Sequence, residues 1–171
     1  MSDPVSLELY HAIEQFYFRE ARLFGEKRYR EWLDSMVDSS IHYWLPIFED
    51  RYKGDRKEPP PFPPAIYDDN YADLDERIRR LETDLVWMED PPSRIRHLIS
   101  NIEAYHGESN GEFIVYSNFL VCRNRREREQ TIMVGSREDR LRPDNSTFKL
   151  TRREIKLPQR VILDTNLYYF M

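Results

Sequence analysis

Two adjacent prolines, Pro91 and Pro92, divide the chain into two parts with different periodicity. Neither proline has an amide hydrogen to donate, and each disfavours the helical conformation of the residue before it. A helix that approaches them is therefore expected to end near Glu89 or Asp90. From Ser93 onward side chains are expected to alternate as in a strand, whereas upstream the apolar residues recur at helical spacing. Helices followed by a sheet predict an α+β domain.

Three upstream segments have the apolar spacing of amphipathic helices, at residues 5–24, 26–36 and 71–88. A short strand is predicted at residues 41–47. The sequence from 48 to 71 contains five prolines and is predicted to be a loop, which is long for a compact domain. Two interpretations stay open for this loop: an arm that docks on a partner, or a mobile surface segment.

Downstream of the prolines, strands are predicted from residue 93, at 113–122 and 130–142, and twice more around Pro158. Gly135, inside one of them, indicates a bulge or a close approach of two backbones. Successive strands joined by short turns predict a mainly antiparallel sheet that curls, with the helices closing one face. At 171 residues the chain is expected to form one domain over 1–171.

Composition narrows the function classes. The formal charge of −5 argues against a general nucleic-acid binder, and the one basic cluster, RNRRER at 123–128, is interrupted by a glutamate at an expected hairpin tip. No apolar run approaches the length of a membrane span, and the N-terminus lacks the order of a signal peptide. With Cys122 as the single cysteine, we expect a soluble protein of the reducing cytoplasm, with no nucleic acid and no membrane among its partners.

The metal-ligating residues are few. A Rieske cluster needs two cysteines and two histidines, and a structural zinc site needs several closely spaced ligands, which one cysteine cannot supply. The four histidines, His11, His42, His97 and His106, show no helical pair spacing. No metal or metal cofactor is therefore expected in this chain.

One polar constellation could line a cavity inside the curled sheet: His97, Asn101, Tyr116 or Asn118, together with Glu20 or Tyr17. Such groups could perform general acid–base chemistry on a small ligand, or they could form a hydrogen-bonded network that fixes the helices on the sheet. Glu20 lies on the apolar stripe of the first helix. It is either buried with a partner or exposed at the helix edge, and the rarity of buried charge favours exposure.

Three motifs carry a resemblance to a known family. They are W-x-E-D-P-P-S-R-x-R-H-L-I-S-N at 87–101, SNFLV at 117–121 and VGSREDRLR at 134–142. Together they resemble the small, or β, subunit of bacterial aromatic-ring-hydroxylating dioxygenases, with the biphenyl and naphthalene dioxygenases as the most similar group. The chain departs from that pattern at Ser136, where a basic residue is expected, and at Pro158, where an aspartate is usual.

The resemblance implies a cone of curved sheet with helices packed into its mouth, as in the nuclear-transport-factor-2-like and scytalone-dehydratase-like folds. It also implies an α3β3 hexamer with β–β contacts in a trimer. The large α subunit would hold the Rieske [2Fe–2S] cluster, the mononuclear Fe(II) and the substrate pocket. A ferredoxin and a reductase would deliver electrons from NADH to that subunit, and the complex would make cis-dihydrodiols from aromatic hydrocarbons. This chain would be a non-catalytic structural subunit.

On this interpretation, clustered charges are candidates for contacts between subunits, because arginines suit bidentate ion pairs at desolvated contacts. Salt bridges within the chain are the alternative for the same residues. A free-standing lyase or isomerase, or a small-ligand binder, is the alternative function. The candidate interface residues are Arg94, Arg96, Arg137, Glu138, Asp139, Arg140 and Arg142.

Overall fold

The computed structural model describes residues 3–47, 63–83, 91–108, 111–158 and 169–171. Within these ranges the helices are α1, Leu7–Gly25; α2, Tyr29–Met36; and α3, Tyr71–Glu82. The strands are β1, Val37–Pro46; β2, Ala65–Asp69; β3, Arg94–His106; β4, Phe113–Arg125; β5, Glu129–Asp144; and β6, Thr147–Lys156.

The six strands form one sheet in the order β2-β1-β6-β5-β4-β3. Neighbouring strands are antiparallel except β1 and β6, which run parallel. The sheet is curved and open, with β2 and β3 at its edges. The α+β class and the curved, mainly antiparallel sheet predicted from the sequence are confirmed.

Helix α1 covers the inner face of the sheet, and the space between this face and helices α1 and α2 is the cone interior. The helix begins after Ser6, whose side chain accepts a hydrogen bond from the Leu9 amide at 3.3 Å. Its apolar stripe, which includes Ile13, Phe16 and Leu23, is buried in the core. Burial of this stripe, rather than intrinsic propensity, is the main source of helix stability in a folded domain.

Strand β3 contains a bulge at Asn101, which has a φ of 52°. The register with β4 shifts between Ser100 and Glu103, so the regular alternation predicted from residue 93 does not continue through this point. After the bulge the buried side is taken up by Ala104. The bulge leaves the Asn101 side chain exposed.

Two boundaries differ from the sequence prediction. The third helix ends at Glu82 rather than at residue 88, because Thr83 is extended with a ψ of 141°. The predicted loop at 48–71 is wrong at 65–69, which pairs with β1 as strand β2 and buries Tyr67. Its proline-rich part at 48–62 lies outside the described residues, as does the predicted strand at 159–164.

Gly135 is a position of close approach, as its place in a strand indicated. A Cβ atom there would lie 2.6 Å from Cζ of Phe119 and 2.9 Å from the backbone oxygen of Lys156. The pairing of Phe119 with Gly135 is regular, so the absence of a side chain, and not a bulge, is what this position requires.

Candidate functional site in the cone interior

Four charged side chains meet inside the cone and form what we call the ion cluster: Glu20 of α1, Arg137 and Asp139 of β5, and Arg153 of β6. Each of these side chains is at most 1% exposed. Alternation places Arg137 and Asp139 on the inner face of β5, and Arg153 pairs with Asp139 across the two strands. With two carboxylates and two guanidinium groups, the ion cluster has no net charge.

Arg153 is the centre of the cluster. Its Nε and Nη2 donate to the two carboxylate oxygens of Asp139 at 3.0 and 2.8 Å, which is the bidentate geometry of a strong pair. The same guanidinium reaches Glu20 through Nη1 at 2.9 Å and Nη2 at 3.0 Å. Arg137 donates one hydrogen bond, from Nη1 to Glu20 at 2.8 Å, and its guanidinium lies 4.9 Å from the ring centroid of Phe119. The sheet is thereby tied to helix α1 through Glu20.

Two neutral groups complete the hydrogen bonding of the carboxylates. The hydroxyl of Tyr17 donates to Asp139 at 2.9 Å, and the indole Nε1 of Trp32 donates to Glu20 at 2.9 Å. Tyr17 and Glu20 lie three positions apart on α1 and therefore on one face of the helix. Trp32 comes from α2, so both helices contribute to the same network.

The surroundings fix the protonation state of these groups. Burial alone would raise the pKa of Glu20, but Arg153 and Arg137 outweigh it and hold the pKa below its ordinary value. Burial, followed by the charge of Asp139, raises the pKa of Tyr17 well above its ordinary value. Near neutral pH Glu20 is an ionised acceptor and Tyr17 a neutral donor, so neither is ready to exchange a proton with a ligand.

The segment Tyr169–Met171 packs into the cone interior, and all three of its residues are buried. The ring of Phe170 lies among four aromatic side chains that we call the aromatic cage. Its centroid is 4.9 Å from Trp32, 5.2 Å from Tyr29, 6.0 Å from Phe24 and 6.3 Å from Tyr43. These distances are those of favourable aromatic pairs.

Backbone atoms of the same segment are bonded to polar side chains of the cone. His97 Nε2 donates to the Phe170 carbonyl at 2.9 Å. Arg153 Nη1 and the Tyr43 hydroxyl donate to the Met171 carbonyl at 3.0 and 2.8 Å. The segment therefore occupies, with both its ring and its backbone, the place that a small ligand would take.

His97 is neutral in this setting. Burial, together with the nearby charges of Arg137 and Arg153, lowers its pKa to about 4, and the hydrogen bond to Phe170 only partly opposes this. Because a carbonyl can only accept, Nε2 carries the proton. His97 acts here as a hydrogen-bond donor that holds the segment Tyr169–Met171.

The structure brings together some residues of the predicted cavity and separates others. His97, Glu20 and Tyr17 lie in the cone interior, and Glu20 is buried, so the expectation that it would be exposed is wrong. Tyr116 and Asn118 are exposed on the outer face of β4. Together with the exposed Asn101, they do not line the cone. The hydrogen-bonded network, which was the alternative to a catalytic cavity, describes the observed arrangement.

The candidate interface residues also fall into two groups, one buried and one at least partly exposed. Arg137 and Asp139 are enclosed in the ion cluster of their own chain, so the interface prediction is not carried over to them. The other five, which remain candidates, are on the outer side of the strands. Three of them pair within the chain: Glu138 lies 3.8 Å from Lys156, Arg140 lies 3.3 Å from Glu112, and Arg142 pairs with Asp38. Arg94 and Arg96 are exposed.

The basic cluster RNRRER at 123–128 does not form a continuous positive surface. Arg123 and Arg125 are buried, and the guanidinium of Arg123 lies 5.8 Å from the ring centroid of Tyr169. Alternation along β4 turns these two side chains inward and leaves Asn124 and the turn residues outside.

The described residues contain neither a metal-binding cluster nor a membrane-spanning helix. Across the described ranges no group of three or more His, Cys, Asp or Glu side chains is placed to hold a metal ion. Among the helices of those ranges, none is long and apolar enough to cross a bilayer.

Comparison with known proteins agrees with this geometry. The family model described as ring hydroxylating beta subunit matches residues 19–164. Biphenyl 2,3-dioxygenase subunit beta of Rhodococcus jostii is 41% identical over 98% of this chain and 91% of its own length. A structure of naphthalene 1,2-dioxygenase with indole in its active site superposes with a TM-score of 0.91 at 24% identity, over 98% of this chain and 88% of that one.

A more distant structure extends the fold comparison. A candidate scytalone dehydratase from Novosphingobium aromaticivorans has a TM-score of 0.63 at 18% identity, over 90% of this chain and 86% of that one. This likeness shows the fold alone and confirms the scytalone-dehydratase-like cone. The chain belongs to the beta subunits of the ring-hydroxylating dioxygenases.

Sequence analysis missed several residues of the site, among them Arg153, Tyr43 and Phe170. A signal was present for Arg153, because Arg152 and Arg153 are adjacent on a strand and one of the two must face inward. No sequence pattern marked Phe170, since its contacts depend on where the segment Tyr169–Met171 lies in the fold.

We expect Glu20→Gln to lower the free energy of unfolding by about 3–5 kcal/mol, because it removes the charged partner of Arg137 in a buried site. Urea unfolding at fixed protein concentration measures this. Glu14→Gln, at a partly exposed position of the same helix, is the control and should stay within about 0.5 kcal/mol of the wild type. Equal stability of the two variants would contradict the role of the ion cluster.

The wild type should lose stability as pH falls from about 6.5 to about 4, because the unfolded chain protonates His97 in that window and the folded chain does not. The loss attributable to this group approaches roughly 3 kcal/mol at the acid end. His97→Gln keeps a donor for Phe170 and should flatten the pH dependence of the unfolding midpoint. His11→Gln, at an exposed position, should leave that dependence as in the wild type.

Phe170→Ala should cost about 3–5 kcal/mol, since it empties the aromatic cage. Phe18→Ala, at an exposed phenylalanine, is the matched control and should cost far less. Benzene should raise the melting temperature of the Phe170→Ala variant more than that of the wild type, because a dry apolar cavity takes up such a molecule. A cost equal to that of the control would mean that the segment Tyr169–Met171 does not hold the cone closed.

Proposed function

We propose that this chain is a non-catalytic, one-domain structural subunit, spanning residues 1–171, of an oxygenase that hydroxylates aromatic hydrocarbons of the biphenyl or naphthalene type. The observation that carries the proposal is the filled cone interior. The segment Tyr169–Met171 occupies the aromatic cage, and the charged groups beside it are paired with one another. In a member of this family, such an interior suits support of a partner better than turnover of a ligand.

In the proposed complex, a large α subunit holds the Rieske [2Fe–2S] cluster, the Fe(II) and the substrate. Support comes from the sequence of this chain, whose single cysteine cannot provide the two that a Rieske cluster requires. A ferredoxin and a reductase would bring electrons from NADH to the α subunit, and the complex would work in the cytoplasm. We propose an α3β3 hexamer in which three copies of this chain form the base.

The proposed contact residues are the charged side chains that remain on the outer side of the strands. Because Arg94 and Arg96 are exposed on an edge strand, they are well placed to meet another subunit. Glu138 and Arg140 are partly exposed and Arg142 is exposed, each beside a group of opposite charge in its own chain. Such pairs can exchange partners at little cost, since surface ion pairs are individually weak.

The test is to express this chain alone and beside a large subunit from the same source, and to measure mass, iron content and product formation. We expect the chain alone to contain no iron and to produce no dihydrodiol. With the large subunit, we expect an iron-containing complex with equal numbers of the two chains and dioxygenase activity. A chain that fails to bind the large subunit would overturn the proposal. Turnover of a small substrate by the chain alone, abolished by His97→Gln, would favour a lyase or isomerase instead.

A further inference from the structure

Two polar side chains that lie opposite each other on the inner face of the sheet have hydrogen-bonding atoms without a protein partner. Ser117 of β4 pairs directly with Arg137 of β5, and the two residues are 3% and 2% exposed. In the described parts of the chain, no group accepts a hydrogen bond from Nε or Nη2 of Arg137, and none is bonded to Oγ of Ser117. Buried polar atoms of this kind are uncommon in folded proteins, and each requires a physical explanation.

The two arginines of the ion cluster differ in the edge of the guanidinium that they use. Arg153 donates to both carboxylate oxygens of Asp139 through Nε and Nη2, which lie on one edge of the planar group. Arg137 donates to Glu20 through Nη1. Its own Nε and Nη2 edge therefore offers two N–H groups to an acceptor. Without one, these groups lose their hydration on folding and gain no hydrogen bond in return.

The packing around Arg137 explains why Ser117 does not bind it directly. The guanidinium lies 4.9 Å from the ring centroid of Phe119, the next inward residue of β4 after Ser117. That ring lies over Gly135, where a Cβ atom would be only 2.6 Å from its Cζ. Because Arg137 extends toward Phe119, the short side chain of Ser117 does not reach the guanidinium, although the two residues are paired in the sheet. A bridging group is required between them.

The charge of the ion cluster indicates that this bridging group is neutral. The cluster contains as many carboxylates as guanidinium groups, and Arg137 shares Glu20 with Arg153. A bound anion would add a negative charge to a neutral cluster that is fully enclosed, and a buried charge without a counterion is strongly unfavourable. A water molecule adds no charge. It can accept from both N–H groups of Arg137 and donate to the hydroxyl oxygen of Ser117.

The electrostatic setting of Arg137 supports such a partner. Burial, followed by the charge of Arg153, lowers the pKa of Arg137 below its ordinary value. A group that accepts hydrogen bonds from the cationic form opposes this shift. The dipole of a water does so without competing with Arg153 for a carboxylate.

We propose that one water molecule is bound between Arg137 and Ser117 as a fifth member of the ion cluster. It accepts from Nε and Nη2 of Arg137 and donates to Oγ of Ser117, which gives it the two to four polar partners of a typical buried water. The water connects β4 to the cluster by hydrogen bonds. The inference concerns the interior of this chain and does not depend on the proposed assembly.

The first test is a crystal structure of the full chain, alone or bound to the large subunit, at a resolution that shows ordered solvent. We expect a solvent peak at roughly 2.7–3.2 Å from Nε and Nη2 of Arg137 and from Oγ of Ser117. A second crystal, soaked in sodium bromide, should give no anomalous signal at this position. A bromide signal there, a protein group in that place or the lack of a peak would each overturn the proposal.

The second test uses the direction of a stability change. Ser117→Ala removes one partner of the water, so the equilibrium constant of unfolding in urea should rise roughly 5- to 10-fold at fixed protein concentration. If the hydroxyl had no partner at all, its removal would relieve an unmet hydrogen-bonding requirement and the constant would fall. Ser136→Ala, at a partly exposed position of β5, is the control and should change the constant less than about 2.5-fold. An unchanged or lower constant for Ser117→Ala overturns the proposal.

The third test distinguishes a water from an anion in solution. The unfolding constants of the wild type and of Ser117→Ala are compared in sodium chloride and in sodium gluconate at equal ionic strength. A bound chloride would stabilise the wild type by mass action, and a water would not. We expect the ratio of the two constants to be the same in both salts. A ratio that falls toward one in gluconate would show that the site holds an anion and would overturn the proposal.

Discussion

The guanidinium of Arg153 is the group on which the interior of this protein depends. It contacts Asp139 on the neighbouring strand, Glu20 on helix α1 and the backbone of Met171. One cation thus joins the sheet, a helix and the segment that fills the cone. Such a cluster is costly to desolvate and becomes tolerable only when every member is paired. Directional hydrogen bonds, as well as apolar contacts, therefore position helix α1 and the segment Tyr169–Met171. The same hydrogen bonds hold Phe170 in the aromatic cage.

The class of fold could be predicted from the sequence because it depends on local signals. Helical spacing before Pro91 and long extended segments after it were sufficient for the three helices and for most of the strands, and the motifs were sufficient for the family. Strand β2 was missed, because it lies in a segment that was predicted to be a loop. The interior could not be predicted in the same way. Whether Arg137 faces a neighbouring subunit or its own core depends on which side of β5 is covered. Arg142, on the same strand, is exposed, and the local sequence does not distinguish these two arginines. The place of Phe170 follows from tertiary contacts alone.

The inner and outer faces of the sheet have different roles. On the inner face, charge is enclosed and paired, and the aromatic residues are covered. On the outer face, apolar groups such as Leu98 and Val134 remain exposed. A monomer that folded only for its own stability would gain little from this arrangement. It is the pattern expected of a subunit whose outer strands complete their burial against another chain.

The parallel pairing of β1 with β6 has a consequence for how the protein is made. Strand β1 ends at Pro46, and β6 spans Thr147–Lys156, so these sheet neighbours are separated by about a hundred residues. During synthesis β1 has no partner on its β6 side until β6 has emerged from the ribosome, and contacts of such long range form slowly. Until then, helices α1 and α2 and strand β1 expose apolar surface that the folded sheet would cover. That interval is therefore the stage of synthesis at which aggregation of this chain is most expected.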